Sequence, residues 1–207
     1  MKKCDLHIHT VATPSDADFT FSLDVLDDYV HKMQLDVIAV TNHNVFDIDQ
    51  YRDIKARLAD KVVLPGIEVD LEGGHILVIT DADEASVNDF VIKCLQINAL
   101  IPNERTSISF EQFHNVFTDF SKYVLIPHYD KSPKLKTDVI TRFGNDTLAG
   151  EVTSVKKFIY IQKEAAERLA PVCFSDMRIK NTLTEDNYST NHTFLDVDEV
   201  NVRALRF

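Results

Sequence analysis

The sequence has no run of about 18 or more apolar residues, so it offers no helix able to span a bilayer. A charged-then-apolar leader is also missing, because Lys2 and Lys3 lead straight into an apolar, histidine-bearing stretch; the expected location is the cytoplasm, with no membrane partner. Cysteine is scarce. Cys4, Cys94 and Cys173 lie far apart in apolar runs without CxxC spacing, and read as reduced core residues. Basic residues are outnumbered, 22 Lys and Arg against 33 Asp and Glu, and the net charge of -11 would repel nucleic acid over most of the surface. An anionic substrate must then be drawn by a local cationic site, which bound divalent metal would supply. There is no internal repeat, low-complexity tract or linker. With 44% hydrophobic residues over 207 positions, the chain has enough apolar material for one sizeable core, and 1–207 reads as a single domain.

What is present is concentrated in Asp5-Leu6-His7-Ile8-His9-Thr10. Residues two apart on a strand share a face, so this stretch puts two imidazoles on one side of a buried strand. Buried polar groups cost free energy unless a partner satisfies them, and a metal ion is one such partner. The bland alternative is one hydrogen-bonded core histidine and one solvated at the strand end.

Along the chain, Val11 to Thr20 reads as a loop, and Ser22 caps a helix running to about Gln34. Asp36 to Val40 is a short buried strand that delivers His43. A helix over about Asp47 to Leu58 precedes a strand, Val62 to Val69, with Glu68 in an apolar setting. Gly73-Gly74 opens a strand from His75 to Ile79 that can pair back as a hairpin. Helices are expected over Glu84 to Ala99 and Phe110 to Phe120, the latter with a core aromatic stripe. Tyr123 to His128 is the next strand, followed by a loop bearing Lys131, Lys134 and Lys136. Leu148 to Val152 is a strand containing Glu151, Lys156 to Leu169 a helix, and Val172 to Phe174 a strand ending at Asp176. The alternation argues an α/β fold with a largely parallel sheet.

Most of these strands end in, or contain, a residue able to bind metal: His7 and His9, His43, Glu68, His75, His128 and Asp176. Taken singly, His43 is an ordinary loop residue, Glu68 a salt-bridged acid and Asp176 a helix cap. Taken together they have a common cause, since in a closed parallel barrel the C-terminal strand ends converge on one face.

The ordered motifs DLHIHT, Ser15-Asp16, AVTNHN, GIEVD with GGHILVI, IPH and FSDMR resemble those of the PHP (polymerase and histidinol phosphatase) domain, from Asp5 to about Arg178. The resemblance implies a distorted seven-stranded β/α barrel with up to three metal ions at its C-terminal face, hydrolysing a phosphoester by a metal-bound hydroxide. Carried over by position, it puts His7, His9, Glu68 and Asp176 on one ion, with Glu68 bridging to a second held by His75 and His128. Zn, Mn or Fe suits this donor set. Asp5 is expected to orient an imidazole from outside the ligand set. A third ion would use Asp16, His43 and a histidine where this chain has Arg178, and Asn42 stands where the family commonly has aspartate. Two ions are therefore expected, and Arg178 replaces a cation with a cation able to grip phosphate, aided by Lys131. Catalytic roles fall to Glu68, Asp176 and Arg178. His31, His114 and His192 are expected to be ordinary surface or helix residues.

The substrate implied is a small phosphomonoester, a nucleotide or a nucleic-acid end. Two rivals stand beside this reading: a PHP domain that has lost chemistry and serves a larger ATPase-linked machine, and a metal amidohydrolase. The tail, 191–207, reads as a strand at His192 to Leu195 and a helix from Val200 to Phe207, and resembles the junction of a PHP domain with a downstream ATPase.

Overall fold

The computed structural model of the chain describes residues 1–101, 106–164 and 169–206. Its strands are β1 (Lys2–His9), β2 (Val37–Val40), β3 (Val62–Leu71), β4 (Gly74–Ile79), β5 (Val124–Asp130), β6 (Ala149–Val152), β7 (Ala170–Val172), β8 (Met177–Arg178) and β9 (Thr193–Leu195). The helices are α1 (Leu23–Lys32), α2 (Ile48–Arg57), α3 (Glu84–Leu100), α4 (Phe110–Val116), α5 (Thr137–Arg142), α6 (Val155–Glu164) and α7 (Val202–Leu205). Ser22, Asp47 and Asp83 cap α1, α2 and α3 by accepting from backbone N–H groups of the first turn, Ser22 as the sequence pattern anticipates. The helix expected over Phe110 to Phe120 stops at Val116. Asp119 accepts from the backbone N–H and hydroxyl of Ser121 and starts a separate 3-10 turn, a local bond that competes with helix continuation. The last turn expected for the helix from Lys156 and the end of the tail helix at Phe207 lie outside the described residues.

The strands run in the order β7-β6-β5-β4-β3-β2-β1-β8, with β9 also pairing with β1. All neighbours are parallel except β4, antiparallel to β3 and β5, and β9, antiparallel to β1. The turn joining β3 to β4 uses Glu72 at φ 46° and Gly73 at φ 81°, two positive φ values that let a two-residue hairpin follow the twist of the strands. The ring is nearly closed. β8 pairs with the upper part of β1, β9 with its lower part, and Thr193 Oγ1 accepts from Cys173 N and donates to Cys173 O, stitching the end of β7 to that seam.

Two apolar clusters mark the two faces of this sheet. One joins Ile38, Val40, Val63, Ile67 and Val78 to helix residues such as Tyr29, Tyr51 and Phe90, and lies between strands and helices. The other contains Val37, Ala39, Leu64, Leu77, Val124, Ile126 and Val172 with no residue of α1 to α6, and fills the barrel. Leu195, Val202 and Leu205 belong to this interior cluster, so the tail packs against the barrel interior.

The interior changes character from one end to the other. Two or four residues beyond the interior apolar positions Ala39, Leu64, Ile126, Ala149 and Val172 come His43, Glu68, His128, Glu151 and Asp176, on the same face by the strand period of two. His75 stands at the start of its strand because β4 runs backwards. In β1 the alternation is broken: Asp5 pairs with Ile38 and Ile8 with Val40, so β1 holds one extra residue there. Cys4 and Leu6 therefore face inward together with His7 and His9, where a regular strand would have placed them opposite.

Candidate metal centre

At the polar end of the barrel, Glu68 is 1% exposed and presents its two oxygens to two sets of imidazoles. Oε2 lies 3.1 Å from His7 Nε2, 3.3 Å from His9 Nε2 and 3.1 Å from His43 Nδ1. Oε1 lies 2.6 Å from His75 Nδ1 and 3.1 Å from His128 Nε2. Asp176, at a positive φ of 53°, turns its Oδ1 to 3.0 Å from His9 Nε2 and 3.4 Å from His7 Nε2. His7 and His9 lie 3.0 Å apart at Nε2 and 3.0 to 3.4 Å from Glu68 and Asp176, at or slightly inside the roughly 3.4 Å edges of a tetrahedron built from bonds of about 2.1 Å. All six residues expected to hold two ions thus converge.

The third group is filled differently. Arg178 Nε donates to Asp16 Oδ1 at 2.7 Å, Nη1 donates to Asp176 Oδ1 at 2.5 Å, and Nη2 lies 3.4 Å from His43 Nε2. Asp16 and His43 are together, as expected, with a guanidinium between them. Lys131 is not displayed on an open loop. It is 8% exposed, and its Nζ lies 2.7 Å from Glu151 Oε1, 3.1 Å from Asp176 Oδ2 and 2.9 Å from His7 Nδ1.

Sequence reasoning missed two carboxylates. Glu151, fully buried on β6, lies 2.8 Å from His7 Nδ1, and Asp70 lies 2.7 Å from His75 Nε2 while Asn44 donates to its other oxygen. The signal for Glu151 was an acid inside a four-residue apolar strand; Asp70 shares the inward face of β3 with Glu68. The role expected for Asp5 is corrected. The extra residue in β1 turns Asp5 away from the imidazoles, and its carboxylate accepts from Tyr29 Oη at 2.7 Å, Ser175 N at 3.0 Å and, more weakly, His7 N at 3.4 Å. It orients backbone, tying the first ligand strand to the segment that carries Asp176.

Electrostatics bear on what the centre can hold. Asp16, Glu68, Asp70, Glu151 and Asp176 gather five carboxylates here, against Lys131, Arg178 and whichever imidazoles they protonate, and buried charge of one sign is costly unless compensated. Burial opposes protonation of His7, yet Glu151, Glu68 and Asp176 outweigh it and Lys131, pushing the pKa up to about 10. His75 is likewise pushed up to about 9 by Asp70 and Glu68 against its burial. His43 goes the other way, down to about 4, through burial and the neighbouring rings of His9 and His75. Glu68 sits well below the usual carboxylate range: burial raises it, and His7, His128 and His75 more than reverse that. The buried nitrogens His9 Nδ1 and His128 Nδ1 make no hydrogen bond, while His43 Nδ1 and His128 Nε2 stand 3.1 Å from Glu68 without hydrogen-bond geometry. Orphaned imidazole nitrogens beside excess carboxylate fit divalent cations, and five overlapping groups of His, Asp and Glu donors here are close enough to share an ion.

The expectation that His192 is an ordinary surface or helix residue is also corrected. It is 8% exposed, and its Nε2 lies 2.8 Å from Tyr29 Oη. Tyr29 gives its proton to Asp5, so His192 donates through Nε2 and leaves Nδ1 buried without a partner. Burial, with a smaller effect of Lys3, lowers its pKa to about 4. The neutral ring is favoured in the fold, so this contribution to stability is present above the unfolded value of about 6.5 and is lost as pH falls toward 4. Replacing His192 with glutamine is expected to remove up to about 3 kcal/mol of the stability lost between those pH values. Denaturant unfolding of parent and variant at pH 7, 5.5 and 4.5 checks this, and parallel curves would refute it.

No protein-family model matches the sequence, and no curated protein matches it either. Solved structures do. The fold they share with this chain is a nearly closed, TIM-barrel-like α/β barrel. A two-domain protein from Bacteroides vulgatus ATCC 8482, containing a predicted PHP-like metal-dependent phosphoesterase, superposes with a TM-score of 0.54 at 16% identity, over 86% of this chain. The chain spans about half of that protein, 52% of its length. A provisionally assigned metal-dependent phosphoesterase from Bifidobacterium adolescentis ATCC 15703 gives a TM-score of 0.53 at 13% identity, covering 90% of this chain and 92% of its own. Among the described residues, no helix is long and apolar enough to cross a membrane.

Proposed function

We propose that the protein is a metal-dependent phosphoesterase with two divalent ions, Zn, Mn or Fe. The observation that carries this is the division of Glu68: one oxygen faces His7 and His9, with Asp176 completing the group, and the other faces His75 and His128. A carboxylate so placed would be shared by two ions, one with His7, His9 and Asp176 and the other with His75 and His128. When bound, the ions supply charge neutralisation at phosphorus and a water of lowered pKa. The chain's own residues do the rest. Glu68 fixes both groups, and Asp176 is held on Oδ1 by Arg178 and on Oδ2 by the buried Lys131; Arg178, a third exposed, is the cation placed to meet phosphate oxygens. Arg178 fills the space between Asp16 and His43, which supports two ions rather than three.

A cavity of about 340 Å³ opens beside His43, lined by Val11, Pro14, Val45, Asn98 and Ile101 among others. That is the size of a small-molecule pocket, and with the net charge of -11 it favours a small organic phosphomonoester over a nucleotide or nucleic-acid end. A second reading draws on the same cations. Lys131 and Arg178 already compensate Glu151, Asp176 and Asp16, which suits a barrel that has lost chemistry and serves as a module of a larger, ATPase-linked protein.

Elemental analysis of gently purified protein, followed by a screen of metal-loaded protein against phosphomonoesters, phosphodiesters and single-stranded oligonucleotides, separates the readings. Close to two ions per chain and hydrolysis of a phosphomonoester are expected. Absence of bound metal would sink the enzyme reading, and three ions would show that Asp16 and His43 recruit a further ligand.

A further inference from the structure

Glu151 is the acid that no motif accounts for, and its surroundings are specific. It is fully buried on β6, directly across the ladder from His128 of β5. Its Oε2 lies 2.8 Å from His7 Nδ1 and 3.3 Å from His128 Nε2, and its Oε1 lies 2.7 Å from Lys131 Nζ. Lys131 reaches on to Asp176 Oδ2 at 3.1 Å. That reach depends on the backbone. Between His128 and Asp130, β5 carries one residue more than β6, a bulge that shifts the alternation by one. Asp130 is thereby turned out to Lys157 of α6, 2.9 Å away, and Lys131 is turned in. The chain that returns from Lys131 passes so close to β4 that a Cβ on Gly74 would come within 2.4 Å of Leu135 Cα, so little room is left for the lysine segment to drift.

His7 offers Nε2 to His9, Glu68 and Asp176. An imidazole that gives its Nε2 lone pair to a metal carries its proton on Nδ1; Nδ1 faces Glu151 Oε2 at 2.8 Å, which can accept that proton, while Lys131 Nζ, 2.9 Å from Nδ1, turns its own protons to Glu151 and Asp176. We propose that Glu151 is a positioning residue of the centre, holding His7 directly and Asp176 through Lys131. Two of the four donors of one ion, from opposite ends of the sequence, then take their orientation from one carboxylate. His75 and His128, which serve the other ion with Glu68, are oriented without Lys131. The proposal rests on the reading that His7, His9, Glu68 and Asp176 bind metal, and the test separates the two.

The test compares the parent with Glu151→Gln, Glu151→Asp and Lys131→Met, after circular dichroism has shown each to be folded. Zinc titrated into the metal-free proteins by calorimetry should show one of two sites weakened by about 10- to 100-fold in Glu151→Gln and the other, which Glu151 touches only at His128, weakened clearly less. Lys131→Met should give a smaller loss at the same site, and Glu151→Asp should recover part of it. Both sites unchanged in Glu151→Gln would overturn the proposal, as would equal losses at both. Imidazole 1H–15N NMR supplies a readout that needs no metal. A hydrogen-bonded Nδ1 proton of His7 should appear far downfield in the parent and move upfield in Glu151→Gln. If the parent binds no zinc, the metal reading fails while this signal still decides whether Glu151 holds His7; an identical signal in both proteins overturns the hold.

Discussion

Glu68→Ala is expected to abolish hydrolysis, with a loss on the order of 10³-fold or more, because it removes the carboxylate that presents one oxygen to each donor group. Metal content should fall with it. Without the carboxylate, His7, His9, His43, His75 and His128 form a cluster of buried rings with their shared anion gone, and neither group keeps its acidic member in common. Glu68→Gln keeps the volume and removes the charge, so it separates loss of the ions from loss of packing. His114→Ala is the control. His114 is exposed on α4, where it edges onto Phe120 with ring centroids 5.3 Å apart, and contacts none of the site residues among its described partners. Metal analysis and turnover on the same preparations decide the matter: comparable losses from Glu68→Ala and His114→Ala would mean that the site is misplaced.

The second large effect is expected at Arg178. Its guanidinium joins Asp16, whose side chain is fully buried, to Asp176, one of the proposed ligands. Arg178→Ala should lower turnover by about 10²-fold, as the loss of one charged contact to a developing anion does. It should also cost roughly 1–3 kcal/mol of stability, because Asp16 is left buried without its partner; the guanidinium's own exposure keeps the figure below that of a fully buried pair. Lysine should restore only part of the activity, since it keeps charge and loses the planar fork that spans two carboxylates. Histidine is the informative replacement. Beside Asp16 and His43 it can complete a third donor group and raise the metal count by one. Parent-level turnover in Arg178→Ala on every substrate would show that Arg178 ties two acids together and does nothing for the reaction.

The spacing of polar residues along the sequence decided much of this protein. Strand period and strand order are local properties, so histidines and acids placed just past apolar runs were legible as one converging set, from His7 and His9 through Glu68 to Asp176. The hairpin was legible too, because Gly73 supplies one of the two positive φ values its turn needs, Glu72 adopting the other. What the tertiary structure alone decided depends on contacts between distant segments or on a single inserted residue. An extra residue in β1 sends Asp5 to Tyr29 rather than to an imidazole, and one in β5 sends Lys131 into the barrel rather than to solvent. Neither bulge has a periodic signature. Glu151 looked like any acid in a short strand, and only closure of the sheet brings it to His7, 144 positions away. His192 lay outside every motif and became buried because β9 packs against β1 and its ring meets Tyr29. Local pattern set which side chains face inward at the barrel end; which of them touch was set by how the strands slip, bulge and close.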